Sequence, residues 1–174
     1  MSNRRPLLEN LGALASGRPA AMRPMDSATA VVLSKILTGI EPWSRLGSSN
    51  VALAQGLMAG REQSARSWCL TVDGEPSGAM VVRDNWLRGP YLAHLSVVPA
   101  QQRQGLGRLA IKWWEDEARR AGGKNLWLCV SSFNATAQQL YLAAGFKQVG
   151  VVDDLLVDGL DEILMRKRLS PAPD

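Results

Sequence analysis

The spacing of hydrophobic residues in the first half of the chain predicts two helices, preceded by a short strand over residues 20–23. Asp26 or Ser27 stands where the first helix needs an N-cap. We expect that helix to bury one apolar face, which consists of Val31, Val32, Ile36 and Leu37. A second helix is predicted over residues 50–59.

Apolar runs bounded by turn residues predict the strands. Residues 67–72 and 78–82 form one expected pair, because the Asp73-Gly74 step between them is typical of a hairpin. A third strand, over residues 91–98, is stopped by Pro99. Beyond it we predict alternating elements at residues 106–121 (helix), 126–130 (strand), 135–144 (helix), 146–152 (strand) and 162–168 (strand).

The helix over residues 106–121 is predicted to be amphipathic. Its expected buried face consists of Leu109, Ala110, Trp113, Ala118 and Ala121. Its expected solvent face carries Arg108, Lys112, Glu115, Asp116 and Arg119. Together with the strands, this pattern predicts one α/β domain over residues 19–170, between a flexible N-terminal extension (1–18) and a short C-terminal tail (171–174).

Composition and charge narrow the class of protein. The chain has 174 residues, 46% of them hydrophobic and 21% charged, which is typical of a globular protein. No apolar run is long enough for a membrane helix, and none follows Arg4 and Arg5 as in a secretory signal. We therefore expect a cytoplasmic protein, without a membrane partner, whose Cys69 and Cys129 are reduced.

The same counts argue against metal and nucleic-acid sites. One histidine and two separated cysteines do not provide the ligands of a recognisable zinc site, so we expect no metal. The net charge of +4 is not concentrated in a dense basic stripe. We therefore expect no nucleic-acid partner, although the charge would suit an anionic ligand.

The densest motif lies where the strand 91–98 leads into the long helix. Gly105 and Gly107 remove side chains at the start of that helix, where free N–H groups and the helix dipole favour anions. Arg103, Arg108 and Lys112 add positive charge around them. This arrangement predicts a loop that binds a pyrophosphate.

The same residues also match the Gly-x-Gly-x-x-Ala pattern of folds that bind nicotinamide dinucleotides. That pattern requires the glycines to follow a strand directly and an acidic residue to end the next strand. Here residues 99–104 separate the strand from Gly105, and the next strand ends in Val130-Ser131-Ser132 without an acid. The dinucleotide interpretation is therefore disfavoured.

A second motif runs along the short helix over residues 135–144. Asn134 stands at the N-cap position and Gly145 at the C-cap position. Tyr141 lies seven residues after Asn134, two turns further along the same helix face. Each of these residues alone has an ordinary structural explanation.

Together the two motifs resemble the GNAT superfamily of N-acetyltransferases, and most closely its ribosomal-protein alanine N-acetyltransferase branch. The superfamily's Gln/Arg-x-x-Gly-x-Gly/Ala loop is present as residues 102–107, and its Asn…Ala…Tyr…Gly-Phe pattern as residues 134–146. The resemblance is dense from Tyr91 to Gly150, about a third of the chain. It implies an α+β fold with a mixed, mostly antiparallel sheet, one splayed parallel strand pair and about four helices.

The resemblance also implies an activity: direct transfer of an acetyl group from acetyl-CoA, as cosubstrate, to a primary amine. Leu95 and Val97 would bind the pantetheine arm through their main chain, and one of their amides would polarise the thioester carbonyl. The pyrophosphate would be held by Arg103, Gln104, Gly105, Leu106, Gly107 and Arg108. Asn134 would hydrogen-bond the pantetheine, and Tyr141 would be the general acid that protonates the thiolate.

The general base is not assigned by the resemblance. The alanine-acetyltransferase branch has a glutamate five residues before the motif asparagine, where this chain has Cys129, and a buried thiol is a poor base. On the strand 91–98 the positions that carry a base in other members hold Tyr91 and Ala93, while His94 faces the other side unless a β-bulge intervenes. Glu162 and Asp84, each acting through water, stay as candidates, as does an amine that arrives neutral.

Several alternatives stay open from the sequence. The acceptor is a small molecule or a peptide N-terminus, and the features that could contact it are Trp43 in the loop 41–47 and the acidic residues Asp153, Asp154, Asp158, Asp161 and Glu162. Cys129 could instead carry the acetyl group. A non-catalytic acyl-CoA-binding regulatory module is the alternative function, and a homodimer is not excluded.

Overall fold

The computed structural model describes residues 8–58 and 64–170. Its helices are α1 (Ser27–Leu37), α2 (Asn50–Leu57), α3 (Leu106–Arg120) and α4 (Ala135–Ala143). Its strands are β1 (Glu9–Ala13), β2 (Pro19–Pro24), β3 (Ala65–Val72), β4 (Glu75–Trp86), β5 (Gly89–Val97), β6 (Asn125–Ser131), β7 (Lys147–Val157) and β8 (Leu160–Arg168). The predicted elements are thus present, and β1 is an additional strand.

The eight strands form one sheet in the order β1-β2-β3-β4-β5-β6-β8-β7. Neighbouring strands are antiparallel except β5 and β6, which are parallel and are joined by only two residue pairs, Tyr91 with Trp127 and Leu92 with Leu128. Beyond these pairs the two strands diverge. The sheet and the four helices confirm the α+β fold with a splayed parallel pair that the resemblance implied.

Helices cover both faces of the sheet, because side chains alternate between its two sides. One hydrophobic cluster contains Trp68, Leu70 and Met80 together with residues of α3 and α4. The other contains Cys69 and Ala79 together with residues of α1 and α2. We call these two sides the α3/α4 face and the α1/α2 face.

Residues 9–18 do not form the flexible extension that the sequence predicted. Residues 9–13 are strand β1, which pairs antiparallel with β2, and Leu14 is only 4% exposed in the core of the α3/α4 face. Arg18 forms an ion pair of 2.6 Å with Asp73 in the β3–β4 turn. Strand pairing and the burial of Leu14 therefore fix this segment. Residues 1–7 of the predicted extension, the C-terminal tail (171–174) and the predicted last residue of the second helix lie outside the described residues.

The buried face of α1 also differs from the prediction. Asp26 caps the helix, as expected, by accepting a hydrogen bond from the Thr29 amide at 2.8 Å. However, Val31, Val32 and Ile36 are exposed, and the residues that face the sheet are Thr29, Ala30, Leu33, Ser34 and Leu37. The buried face contains small and weakly polar side chains, so a pattern based on the largest apolar residues selected the wrong side of the helix.

Three residues of the predicted helix 106–121 lie differently from the prediction, and one of them is Ala121, which is exposed rather than buried. Trp114 is fully buried, whereas the predicted Trp113 is only partly buried. Glu115, predicted to face solvent, is buried and accepts a hydrogen bond of 2.6 Å from the Lys167 ammonium of β8, and it also pairs with Arg119. A partner 52 residues away in the sequence therefore allows this carboxylate to be buried.

Candidate active site

A cleft of about 750 Å³ occupies the place where β5 and β6 diverge. We call it the fork cleft. Residues 92–97 of β5 line one side and residues 129–131 of β6 line the other. At the closed end of the fork, Gly89 lies so near the Asn125 carbonyl oxygen that any side chain there would clash with it. The main chain of β5 beyond Leu92 is therefore not paired with β6 and faces the cleft.

A β-bulge in β5 changes which of its side chains reach each face. Val81 of β4 pairs with His94 and the next residue, Val82, pairs with Leu92, so Ala93 is the extra residue. As a result, Leu95 and Val97 pack on the α3/α4 face and His94 points to the α1/α2 face. From the sequence we expect His94 to reach the cleft only if a β-bulge intervenes, and the bulge at Ala93 is present. No feature of the sequence indicated this bulge.

The predicted phosphate loop lies at one side of the fork cleft. Gly105 is the N-cap of α3, with a φ of +95°, and it provides no side-chain capping hydrogen bond to the first turn. The loop is held by two glutamines, because Gln102 Nε2 donates to the Val97 carbonyl oxygen and Gln104 Nε2 to that of Ala100, both at 3.0 Å. The amides of the first helical turn are therefore available to an anion.

Gly107 lies in the first turn of α3 under the side chain of Leu140. A Cβ at this position would lie 3.4 Å from Leu140 Cδ2, so there is little space on that side. Arg103 and Arg108 flank the glycines and are exposed. Positive charge and free amides thus occur together at this end of the cleft.

The second motif contributes helix α4 to the same cleft. Asn134 Oδ1 accepts a hydrogen bond from the Ala137 amide at 3.2 Å, so the residue is the N-cap of α4. Tyr141 is buried in the α3/α4 face with its ring edge-on to Phe146, and burial raises the pKa of its phenol. Both residues line the cleft, and so do all the others predicted to bind the cofactor: Leu95, Val97, Arg103, Gln104, Gly105, Leu106, Gly107 and Arg108.

Glu162 and Asp84, the two candidate bases, lie in different places. Glu162 lines the fork cleft, is 3% exposed, and accepts a hydrogen bond of 2.5 Å from the Ser131 hydroxyl. Burial raises the pKa of the Glu162 carboxyl, and the hydrogen bond from Ser131 partly opposes that rise. Asp84 lines a second cavity and is bound by the Arg66 guanidinium through two nitrogens. The structure therefore brings only Glu162 to the cleft.

Cys129 lies beside Glu162 on the neighbouring strand. The Ser131–Glu162 and Cys129–Leu164 pairs place the thiol and the carboxylate on the same face, two residues apart along β6. The nearby Tyr91 hydroxyl lowers the pKa of the Cys129 thiol, but burial outweighs this effect and raises that pKa overall. Cys129 is therefore a protonated thiol at neutral pH, which disfavours a role as nucleophile.

The loop between α1 and α2 closes the α1/α2 face of the cleft. Trp43 stacks on His94 with ring centroids 5.1 Å apart, and Glu41, Leu46 and Leu156 also line this part. His94 Nε2 lies 2.8 Å from Ser96 Oγ, and burial lowers the pKa of the imidazole to about 4. We call the part lined by Glu41, Trp43, Leu46, His94, Leu156 and Glu162 the acceptor end.

The other acidic residues suggested for the acceptor do not line the cleft. Asp153, Asp154, Asp158 and Asp161 are absent from its walls, and Asp154 Oδ1 instead accepts the Gly159 amide in the β7–β8 turn. Over residues 8–58 and 64–170, no group of three or more metal-binding side chains is found. Within the same ranges, no helix is long and apolar enough to span a membrane.

Comparison with known proteins agrees with this architecture. Residues 33–146 match the acetyltransferase (GNAT) family. The [ribosomal protein bS18]-alanine N-acetyltransferase of Escherichia coli K12 is 40% identical over 60 residues, which are 34% of this chain and 40% of that protein. The streptothricin acetyltransferase of Streptomyces lavendulae is 30% identical over 102 residues, which are 58% of this chain and 53% of that protein. The matched segments thus span about half of these relatives or less.

Solved structures show the same fold. The ribosomal-protein-S18-alanine N-acetyltransferase from Escherichia coli superposes with a TM-score of 0.69 at 24% identity, over 89% of this chain and 97% of that one. A Thermoplasma volcanium structure, Ard1, gives a TM-score of 0.70 at 17% identity, over 87% and 98%. Members of the matched family use acetyl-CoA. The family match covers more than half of the chain, and the chain therefore belongs to the acetyltransferase (GNAT) family.

Proposed function

We propose that the protein is an N-acetyltransferase that moves the acetyl group of acetyl-CoA directly to a primary amine. The observation that carries this proposal is the pair of acid–base groups on opposite faces of the fork cleft. Tyr141 belongs to the α3/α4 face, and Glu162 pairs with Ser131 on the α1/α2 face. A thioester lying in the fork would have a proton donor on one side and a proton acceptor on the other.

The cofactor would bind with its pyrophosphate at the start of α3 and its pantetheine arm along β5. The uncapped amides of residues 105–108, with Arg103 and Arg108, suit the two phosphates. The unpaired edge of β5 at Leu95 and Val97 suits the amides of the pantetheine, which would pair like an added strand. Asn134 would hydrogen-bond the pantetheine through its amide nitrogen, because its oxygen is used by the helix cap.

The nitrogen of a neutral amine loses one proton in the reaction and the sulfur gains one; an acceptor that arrives as an ammonium loses a further proton, which passes to solvent. Glu162 would accept a proton from the ammonium or the attacking amine, directly or through water, as the new C–N bond forms at the thioester carbon. A main-chain amide of Leu95 or Val97 would stabilise the oxyanion. The C–S bond then breaks, and Tyr141 would protonate the departing thiolate, which gives the N-acetylated amine and the CoA thiol.

Glu162 suits the base role better than the alternatives. Burial raises the pKa of the Glu162 carboxyl toward neutral pH, and a base with such a pKa transfers protons efficiently at physiological pH. Asp84 is held in an ion pair with Arg66, away from the cleft, and the Cys129 thiol has a raised pKa. Cys129, which stands where the alanine-acetyltransferase branch has a glutamate, would favour a non-catalytic acyl-CoA-binding module if the chain had no other base. A base on β8 would remove that reason.

The test is turnover with acetyl-CoA and a panel of amines. CoA release and the mass of the acetylated product are measured together for alkylamines, arylalkylamines, spermidine, and peptides with different N-terminal residues. We expect at least one amine to give one acetylated product for each CoA released. Tight binding of CoA without product from any class of amine would instead support the non-catalytic module.

A further inference from the structure

The two ends of the fork cleft differ in charge. Among the described residues that line it, the cationic side chains are Arg103 and Arg108, both at the phosphate loop. The acceptor end contains two carboxylates, those of Glu41 and Glu162. The Arg45 guanidinium of the same loop lies over the ring of Phe133, 4.4 Å from its centroid, and does not line the cleft. The acceptor end therefore favours a cation.

The acceptor end also has an uncharged aromatic wall. The rings of Trp43 and His94 stack on each other with an interplanar angle of 29°, both residues are half-buried, and Trp43 packs against the core of the α1/α2 face. A hydrogen bond between His94 Nε2 and the hydroxyl of the buried Ser96 fixes the imidazole. Its low pKa keeps the imidazole neutral above about pH 5. Leu46 and Leu156 add aliphatic surface to the lining of the cleft.

The number and burial of the acids argue against a polyamine. Glu162 is 3% exposed, so it can be reached by one amine but not by several charges at once. The four aspartates between residues 153 and 161, which could have bound further ammonium groups, do not line the cleft. The other carboxylate of the acceptor end, that of Glu41, is exposed to solvent, so a second strongly hydrated charge beside Trp43 and Leu46 would gain only a weak surface ion pair in return for its desolvation.

We propose that the acceptor is a monocationic primary amine carried next to an aromatic or similarly flat apolar group, which would lie on the Trp43–His94 wall. This inference rests on the proposed N-acetyltransferase function and names its substrate class. The flat group would be stabilised by stacking and by removal of apolar surface from water, and the ammonium by the carboxylate of Glu162. An arylalkylamine and an aromatic N-terminal residue of a peptide share this chemistry.

The test compares acceptors that have equal charge but differ in the flat group. Phenethylamine is compared with ethylamine, and a tripeptide amide beginning with Phe with one beginning with Ala; spermidine is the polycationic control. We expect kcat/KM to be at least about tenfold higher for the aromatic member of at least one pair. The pair that shows the preference distinguishes a free amine from a peptide N-terminus.

The variant Trp43→Ala tests whether the wall is responsible. We expect it to reduce the aromatic preference to less than about threefold, mainly through KM for the amine, while Trp43→Phe keeps the preference. The affinity for CoA should be unchanged in both variants, which shows that they fold. Preference for spermidine, or an aromatic preference that is unchanged in Trp43→Ala, would overturn the inference.

A binding measurement separates this inference from the proposed function. Calorimetry with phenethylamine and with the Phe peptide is carried out on the protein saturated with CoA, where no chemistry occurs. If at least one of these two ligands binds to the wild type and not to Trp43→Ala, the result supports binding at the Trp43–His94 wall, even if no amine is acetylated. Acetylation of amines with no aromatic preference overturns the substrate class alone and leaves the proposed function standing.

Discussion

The Ser131 hydroxyl on β6 donates a hydrogen bond of 2.5 Å to the Glu162 carboxylate on β8. Because these residues are directly paired across the two strands, Glu162 lies next to the position of Cys129, two residues earlier on β6. In the proposed mechanism, the carboxylate of Glu162 would therefore take the place of the glutamate that the resemblance to the alanine-acetyltransferase branch implies at the position of Cys129. This relationship gives the first prediction.

Replacing Glu162 with Gln should lower kcat by about a hundredfold or more, because the amide cannot accept a proton. The wild-type pH profile of kcat/KM should fall on the acidic side with an apparent pKa above the ordinary glutamate value, since burial raises the pKa of Glu162. That limb should be absent in Glu162→Gln. Asp84→Asn is the matched control, and an equal loss of activity there would contradict the assignment.

The same variant should not be less stable than the wild type near neutral pH. The folded carboxyl keeps its proton to a higher pH than the unfolded one, so the free energy of unfolding falls as pH rises from about 4.5 through the folded pKa. Gln can still accept the Ser131 hydrogen bond and has no charge to desolvate. Denaturant unfolding at pH 4 and pH 7 should therefore show a smaller pH dependence for Glu162→Gln.

Replacing Tyr141 with Phe should lower kcat by about a hundredfold or more while leaving the affinity for acetyl-CoA unchanged. The ring still fills its place against Phe146, and only the hydroxyl that would protonate the thiolate is removed. Steady-state kinetics and calorimetry with CoA measure the two effects separately. An unchanged rate with a good acceptor would mean that Tyr141 has only a packing role.

Replacing Gly107 with Glu should weaken CoA binding by more than about tenfold, because a carboxylate would be placed beside the phosphates at the start of α3. Gly56→Glu is the matched control, since Gly56 is an exposed helical glycine with open space around it. Calorimetry with CoA should show normal affinity for the control. If Gly107→Glu and Gly56→Glu both fold and bind CoA with equal affinity, the assignment of the phosphate loop is wrong.

Replacing Cys129 with Ala or Ser should keep most of the activity. The raised pKa of the thiol leaves almost no thiolate at neutral pH, so a direct transfer is favoured over an acetyl-cysteine intermediate. Incubation with acetyl-CoA alone should leave the protein mass unchanged in intact-mass spectrometry. A stable increase by one acetyl group that disappears in Cys129→Ala would show the opposite.

His94 should make the protein less stable in acid. Its folded pKa of about 4 lies below the ordinary histidine value, so the unfolded chain takes up the proton first as pH falls. The free energy of unfolding should therefore drop by on the order of 3 kcal/mol between pH 6.5 and pH 4 from this residue. His94→Phe keeps a ring beside Trp43 but cannot titrate, and its unfolding in urea should lack that contribution.

The parts of the site that the sequence predicted are those encoded by short local segments. The start of α3 after Gly105 and the cap of α4 at Asn134 depend on residues within one or two helical turns. Both features can therefore be predicted from the local sequence. The two strands that form the fork, β5 and β6, were also predicted close to their observed positions, over residues 91–98 and 126–130. The ten residues expected to bind the cofactor line one cleft, although their roles stay predictions; Lys112, which was expected to add charge there, does not line it and pairs with Asp116 instead.

The parts that could not be predicted depend on contacts between distant segments. The bulge at Ala93 exists only in the pairing of β4 with β5, and it is what directs His94 toward Trp43. Glu115 is buried because Lys167 is there to neutralise it, and β1 is ordered because β2 offers it a partner. In each case, the hydrophobic pattern of the segment itself gave no indication of the contact.

The fork between β5 and β6 also affects how the protein unfolds. Contacts between β5 and β6, and those of Asn125 and Trp127 with the carbonyl oxygens of Arg88 and Leu87, are all at the closed end of the fork. A pantetheine bound along β5 would add hydrogen bonds at the open end, as a temporary ninth strand. Amide hydrogen exchange of residues 93–97 should then slow on CoA binding, and the thermal midpoint should rise with CoA concentration. The cosubstrate would thereby act as a removable part of the sheet, and the two halves of the protein would unfold with greater cooperativity when it is present.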